Sequence, residues 1–139
     1  MNDNVWTGKS VIIADDSILL QNEIAQIFDS IGMNVVGLCG DGHSVVELYK
    51  QHKPDLVSMD IIMPEMHGIA GFRLLREIDP HLRCVFVSCL SMNPSFVTEF
   101  DGEIDKNLFL NKPLTKASLE ACLVRIFSHA ASPAEPQSA

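Results

Sequence analysis

Short apolar runs alternate along this chain with segments whose apolar residues recur every three or four positions. Bounded apolar runs are typical of buried strands, and the helical spacing is typical of amphipathic helices. The predicted strands cover residues 9–14, 33–39, 55–59, 83–87 and 108–110. The predicted helices cover residues 20–31, 44–52, 69–78, about 94–100 and 115–127, and the one at 94–100 rests only on the start signal Asn93-Pro94.

The helical segments each present one apolar face that a sheet could cover. Strands that alternate with such helices imply a doubly wound parallel sheet with right-handed crossovers and helices on both faces. We therefore expect an α/β fold with a five-stranded parallel sheet. The side chains expected to be buried are Leu20, Ile24, Ile27, Phe28 and Ile31; Val45, Leu48 and Tyr49; Ile69, Phe72, Leu75 and Ile78; and Leu119, Cys122, Leu123, Ile126 and Phe127.

The length of 139 residues suits one domain with a single well-formed core. We expect the domain to cover residues 8–129, after an N-terminal arm at residues 1–7. Residues 130–139 are rich in Ala, Ser and Pro, a composition that does not pack well. They are expected to form a disordered end or the start of a linker.

Composition restricts the partners and the compartment. A formal charge of −8, from 10 basic and 18 acidic residues, argues against nucleic acid or an anionic membrane as the main partner. The start of the chain is polar, and no run of eighteen apolar residues occurs. We therefore expect a cytoplasmic protein without a membrane anchor. The four cysteines are expected to be small buried thiols, since they are widely spaced and form no CxxC pair: Cys39, Cys84, Cys89 and Cys122.

Polar residues follow four of the predicted strands. The first strand ends in Asp15-Asp16, the third in Asp60, the fourth in Ser88 and the fifth in Lys112. The carboxyl ends of parallel strands meet at one edge of the sheet, where open α/β sheets bind their ligands. Each residue alone is more often a helix cap or a surface side chain, so the expectation of a site rests on their joint occurrence.

The clustered side chains suggest phosphoryl chemistry. Three carboxylates repel one another unless a cation lies among them, and oxygen ligands with room for water suit Mg²⁺. The hydroxyl of Ser88 and the ammonium of Lys112 could bind the remaining oxygens of a phosphoryl group. The central position of Asp60 makes it the candidate nucleophile.

The loops at these strand ends resemble those of the receiver domain of two-component response regulators, over about residues 8 to 128. The matching motifs are Asp15-Asp16-Ser17, residues 59–68 (Met-Asp-Ile-Ile-Met-Pro-Glu-Met-His-Gly), Ser88 and Lys112-Pro113. The resemblance implies the flavodoxin-like strand order 2-1-3-4-5. It also implies that Asp60 accepts a phosphoryl group from the phosphohistidine of a histidine kinase or a histidine phosphotransfer protein. The Mg²⁺ ligands would be Asp15, Asp16, Asp60 and the backbone carbonyl of Ile62.

The same resemblance assigns a switch. Lys112 would pair with the phosphoryl group, Ser88 would move to hydrogen-bond it, and the ring of Phe109 would rotate inward behind that movement. A protein partner would then read the face formed by the fourth helix, the fifth strand and the last helix. The Lys112–Pro113 bond is expected to be cis, as is usual in the family.

Several positions depart from the family pattern. His67 stands where Asp or Asn is usual, Cys89 where alanine is common, and Asp105-Lys106 replaces a small-residue turn. The two positions that border the path of an attacking water are the bulky aliphatics Ile62 and Leu90. Because neither can orient water, we expect slow loss of the phosphoryl group.

Two alternatives remain open beside a phosphorylation switch. Phosphatases of the haloacid dehalogenase type also combine an aspartate nucleophile with Mg²⁺, but they need a second Asp at the position of Ile62 as acid and base. We therefore expect no catalysis beyond the chain's own phosphorylation and slow dephosphorylation. The other alternative is a receiver-like docking module that is never phosphorylated.

Overall fold

A parallel sheet forms the centre of the protein in a computed structural model that describes residues 4–61, 63, 68–88 and 108–128. Strands and helices alternate through the first four strands, as the apolar pattern predicts. The elements are β1 (Ser10–Ala14), α1 (Ile18–Ser30), β2 (Asn34–Cys39), α2 (Gly42–His52), β3 (Leu56–Met59), α3 (Gly68–Ile78), β4 (Cys84–Ser88), β5 (Phe109–Asn111) and α4 (Lys116–Ser128). The helix predicted at about 94–100 lies outside the described residues.

The five described strands are parallel and lie in the order β2-β1-β3-β4-β5. This order confirms the doubly wound, flavodoxin-like fold class. In the register, Ala14 at the end of β1 pairs with Met59 at the end of β3. The residues that follow these two, Asp15 and Asp60, therefore leave the sheet side by side.

Two hydrophobic cores cover the two faces of the sheet, which confirms helices on both sides. One core contains Val45 and Tyr49 of α2 with Phe72 and Leu75 of α3. The other is built against α1 and α4. Its helical members are Ile24, Phe28, Leu119, Cys122, Leu123 and Phe127. β-branched and aromatic residues of the strands fill the space between the helices and the sheet.

The helix ends follow the local signals in the sequence. Ser17 caps α1, its hydroxyl accepting a hydrogen bond from the Leu20 backbone N–H at 3.2 Å. Gly32, just after α1, has a φ of +94°, which an L side chain rarely adopts. Helix α2 begins two residues earlier than predicted because Asp41 caps it, accepting from the Ser44 N–H at 2.7 Å.

One prediction about burial needs correction, and one residue of the N-terminal arm is buried. Ile78, expected in the core, is 44% exposed because it is the last residue of α3, where the helix end is less covered by its neighbours. Trp6, assigned to the N-terminal arm, is only 3% exposed and belongs to the core beneath α1. Its ring Nε1–H donates to the backbone carbonyl of Ile31 at 2.8 Å, so this part of the arm packs against the domain.

Three smaller features concern a peptide bond, the cysteines and the length of the helices. The Lys112–Pro113 peptide bond is cis. Cys39, Cys84 and Cys122 are buried and form no disulfide with one another, while Cys89 lies outside the described residues. Among the helices that the structure describes, none combines the length and the apolar character needed to cross a membrane.

Candidate functional site

The end of β1 places one buried and one exposed carboxylate at the carboxyl edge of the sheet. Asp15 is 1% exposed, and its backbone N–H continues the ladder by donating to the Cys39 carbonyl at 2.9 Å. Asp15 Oδ1 accepts a hydrogen bond from the Ser17 N–H at 2.9 Å, so the turn into α1 fixes this carboxylate. The next residue, Asp16, is exposed.

Asp60 stands beside Asp15 at the end of β3. Its backbone N–H donates to the Ala14 carbonyl at 2.9 Å, and its Oδ1 accepts from the Ile61 N–H at 2.8 Å. The residue is 6% exposed. Burial raises the pKa of Asp60; the charge of Lys112 opposes that rise and the charge of Asp15 adds to it. Asp60 is thus a buried carboxylate that faces one positive and one negative charge.

Lys112 follows β5 and reaches across the strand ends to both carboxylates. Its Nζ lies 2.6 Å from Asp15 Oδ2 and 3.3 Å from Asp60 Oδ2, and its side chain is 8% exposed. Burial alone would lower the pKa of Lys112, but the neighbouring carboxylates of Asp15 and Asp60 raise it above the ordinary value. Lys112 is therefore a fixed positive charge within hydrogen-bonding reach of Asp60.

The three aspartates fit a divalent cation. One carboxylate oxygen from each of Asp15, Asp16 and Asp60 lies within 4.8 Å of the other two. Asp15 Oδ2 is buried and, among the residues that the structure describes, has no hydrogen-bond donor in good geometry, although the charge of Lys112 faces it. A site with only oxygen donors, one of them open to solvent, is the kind that Mg²⁺ occupies while it keeps several waters. The predicted metal ligands Asp15, Asp16 and Asp60 therefore do lie together.

The other predicted site residues are only partly within the described chain. The backbone of Ser88 ends β4 opposite Asn111, but its side chain lies outside the description, as do Ile62 and Leu90. Phe109 is described, and its ring is already buried, at 9% exposure. It stacks on Phe86 with ring centroids 5.0 Å apart. The ring of Phe109 therefore packs against β4.

Sequence reasoning missed Gln21. This residue of α1 is 8% exposed, and its Nε2 donates to the backbone carbonyls of Asp15 at 2.7 Å and Cys39 at 3.0 Å. A signal existed, because Gln21 precedes Ile24 by three positions and Phe28 by seven and so lies on the apolar stripe of the helix. A polar side chain on that stripe needs a buried hydrogen-bond partner.

Comparisons with known proteins show a family to which this chain is similar. A protein-family model described as the response regulator receiver domain matches residues 11–124. The chemotaxis protein CheY of Thermotoga maritima is 39% identical over 83 residues, which make up 60% of this chain and 69% of that protein. The protein CcdB of Bacillus subtilis is 28% identical over 119 residues, or 86% of this chain and 98% of that protein.

Solved structures are similar over most of the chain. A CheX–CheY–BeF3–Mg²⁺ complex from Borrelia burgdorferi matches with a TM-score of 0.79 at 32% identity, covering 87% of this chain and 90% of that chain. The signal receiver domain of NarL from Mycobacterium tuberculosis matches with a TM-score of 0.77 at 25% identity, covering 88% of this chain and 98% of that chain.

Proposed function

Because the chain belongs to the response regulator receiver domain family of two-component signalling, we propose that it is a switch controlled by phosphorylation of Asp60. The observation that carries this proposal is the position of Lys112, whose ammonium lies between the buried carboxylates of Asp15 and Asp60. A phosphoryl group on Asp60 would meet this positive charge without any rearrangement of β5.

The proposed reaction is transfer from phosphohistidine. One carboxylate oxygen of Asp60 forms a bond to phosphorus while the P–N bond to the histidine ring breaks, and the ring nitrogen leaves with the electron pair. Asp60 is held in place for this attack, because its Oδ1 accepts a hydrogen bond from the Ile61 N–H at 2.8 Å. Lys112 stabilises the negative charge on the phosphoryl oxygens during the transfer and afterwards. The donor is a histidine kinase or a histidine phosphotransfer protein.

Asp15, Asp16 and Asp60 are the described residues that would hold the Mg²⁺, and the carbonyl of Ile62 is a further proposed ligand. When bound, the ion supplies positive charge that offsets the repulsion between the carboxylates and the incoming phosphoryl oxygens. The Borrelia burgdorferi CheY is recorded with Mg²⁺ and BeF3. That record supports a similar site in this chain.

The output is proposed to be a change in affinity for a protein partner. Ser88 would hydrogen-bond the phosphoryl group, and Phe109 would exchange between the buried position beside Phe86 and an exposed one. The free energies of such coupled two-state changes are a few kcal/mol. The proposed partner surface comprises β5, α4 and the segment before β5. The complex of the Borrelia burgdorferi CheY with CheX supports a protein, rather than a nucleic acid, as the partner.

We also propose that the chain catalyses nothing beyond its own phosphorylation and slow dephosphorylation. Phosphatases of the haloacid dehalogenase type need an Asp as acid and base at the position of Ile62. The side chain of Ile62 cannot donate or accept a proton. Ile62 and Leu90 are proposed to slow the attack of water on the phosphoryl group. A cytoplasmic location is proposed because Cys39, Cys84 and Cys122 are buried and form no disulfide with one another, as is usual in a reducing compartment.

Exposure of the chain to a small phosphodonor such as acetyl phosphate tests this proposal. With Mg²⁺ present, intact-mass spectrometry should show the addition of one phosphoryl group to the wild type. Asp60→Asn should show none, whereas the control Asp29→Asn, an exposed aspartate of α1, should react like the wild type. Phosphorylation of Asp60→Asn would overturn the assignment, and an unreactive wild type would favour the docking module.

A further inference from the structure

The buried side chain of Gln21 contacts the peptide group that joins Asp15 and Asp16, the two proposed metal ligands that follow β1. Its Nε2 donates to the carbonyl of Asp15 at 2.7 Å, and that carbonyl belongs to the peptide plane between Asp15 and Asp16. The same Nε2 donates at 3.0 Å to the Cys39 carbonyl, at the end of β2. The two hydrogen bonds therefore tie this peptide plane to the neighbouring strand.

The orientation of that peptide plane determines where the Asp16 carboxylate points. A rotation of the plane changes ψ of Asp15 and φ of Asp16 together, and so swings the exposed Asp16 side chain away from its partners. The Asp15 carboxylate has its own restraints, because Ser17 N–H and Lys112 hold its two oxygens. Among the residues that the structure describes, no side chain restrains Asp16 directly, so its position depends on the Asp15–Asp16 peptide plane.

We infer that Gln21 is a positioning residue for the divalent cation site, acting through the backbone of Asp15 and Asp16. The inference rests on the proposed function, because it assumes that these aspartates bind Mg²⁺. Groups that hydrogen-bond to metal ligands and so fix their orientation commonly contribute about ten- to a hundredfold to metal affinity. Gln21 would act from α1, so the same residue also couples the placement of this helix to the geometry of the site.

A matched pair of variants separates positioning from general stability. Gln21→Met keeps the length of the side chain and removes both hydrogen bonds to carbonyls. Trp6→Phe is the control, since it also removes a buried side-chain hydrogen bond to a carbonyl, that of Ile31, which lies just beyond the opposite end of α1. Both variants should unfold at lower denaturant concentration than the wild type, as followed by circular dichroism.

Isothermal titration with Mg²⁺ alone, without any phosphodonor, then gives the decisive result. Gln21→Met should bind Mg²⁺ about tenfold more weakly than the wild type, while Trp6→Phe should bind it as the wild type does. Equal affinities for Gln21→Met and Trp6→Phe would overturn the inference and leave the metal site intact. If the wild type does not bind Mg²⁺, or if binding survives Asp15→Asn with Asp16→Asn, the metal site itself fails and the inference with it.

A second measurement does not require Gln21→Met to fold. In the wild type, the side-chain NH₂ resonances of Gln21 should be protected from exchange with water and should shift when Mg²⁺ is added. The NH₂ groups of Gln26 and Gln51, which are exposed, serve as internal controls and should do neither. Resonances of Gln21 that exchange and shift no more than those of Gln26 would contradict the inference.

Discussion

Replacement of Lys112 by methionine removes the positive charge of the site and nearly preserves the length of the side chain. In the wild type the ammonium lies 2.6 Å from Asp15 Oδ2 and 3.3 Å from Asp60 Oδ2. Removing it leaves two largely buried carboxylates facing each other without a counter-charge. Loss of one partner of a buried ion pair lowers the free energy of unfolding by roughly 3–5 kcal/mol. The lower limit applies here because the site is open to solvent on the side of Asp16. We therefore expect the free energy of unfolding to fall by about 3 kcal/mol in metal-free buffer.

The same variant should bind Mg²⁺ more tightly than the wild type. The wild-type ammonium repels a divalent cation at Asp15 and Asp60, and this repulsion disappears in Lys112→Met. A gain of about 1.4 kcal/mol, or tenfold in affinity, is expected, since one unit charge within several ångströms has an effect of this order near a protein surface. Saturating Mg²⁺ should consequently restore more stability to Lys112→Met than to the wild type.

Urea unfolding monitored by the fluorescence of Trp6 measures both effects. Trp6 is the single tryptophan of the chain and is buried in the core beneath α1. Lys116→Met, at an exposed lysine at the start of α4, is the matched control and should change neither quantity. A loss of stability no larger than that of Lys116→Met, or weaker Mg²⁺ binding by Lys112→Met, would refute the reasoning.

Two further predictions concern acid stability and phosphoryl lifetime. The Tyr49 hydroxyl donates to Asp79 Oδ2 at 2.6 Å and lowers the pKa of that carboxyl from its ordinary value of 3.8. The resulting stability is present above pH 3.8 and is lost as the pH falls through the lowered pKa. Tyr49→Phe should therefore lower the free energy of unfolding by about 1 kcal/mol at pH 7, and by progressively less below pH 3.8. Urea unfolding at several pH values measures this loss, and a loss that does not change with pH would contradict the prediction. The double variant Ile62→Asn with Leu90→Glu should lose the phosphoryl group about a hundredfold faster than the parent, and equal decay of phospho-Asp60 at fixed Mg²⁺ would show that these side chains do not protect it.

The sequence predicts the site best where a polar residue directly follows an apolar run and the runs form parallel strands that end at one edge of the sheet. Asp15 and Asp60 each follow an apolar run, and parallel pairing of those runs was sufficient to place the two carboxylates together. The position of Lys112 after β5 predicts that it lies at the same edge, but β4 separates β5 from β3, and only the structure shows its contact with both carboxylates. The pairing of Asp15 with Asp60 needed only adjacent parallel strands, whose order the family resemblance implied.

The residues that sequence reasoning misplaced depend on tertiary geometry. Gln21 has the helical spacing of a core residue but a polar side chain, and only the structure shows the carbonyls of Asp15 and Cys39 as its partners. Trp6 precedes every predicted element, so no periodicity marks it as buried. Ile78 fits the apolar stripe of α3, yet it is the last residue of that helix and is exposed. Local periodicity cannot show how well the end of a helix is covered by its neighbours.

Chemical mapping of the phosphorylated residue tests the central claim most directly. The chain would be incubated with a phosphorylated histidine phosphotransfer protein, with and without Mg²⁺, and treated with borohydride, which reduces an aspartyl phosphate to homoserine. Peptide sequencing by mass spectrometry then locates the modified position. We predict homoserine at residue 60, formed only when Mg²⁺ is present, and none in Asp60→Asn. Homoserine at Asp15, Asp16 or another position of the wild type, or formation at residue 60 that does not depend on Mg²⁺, would contradict the account.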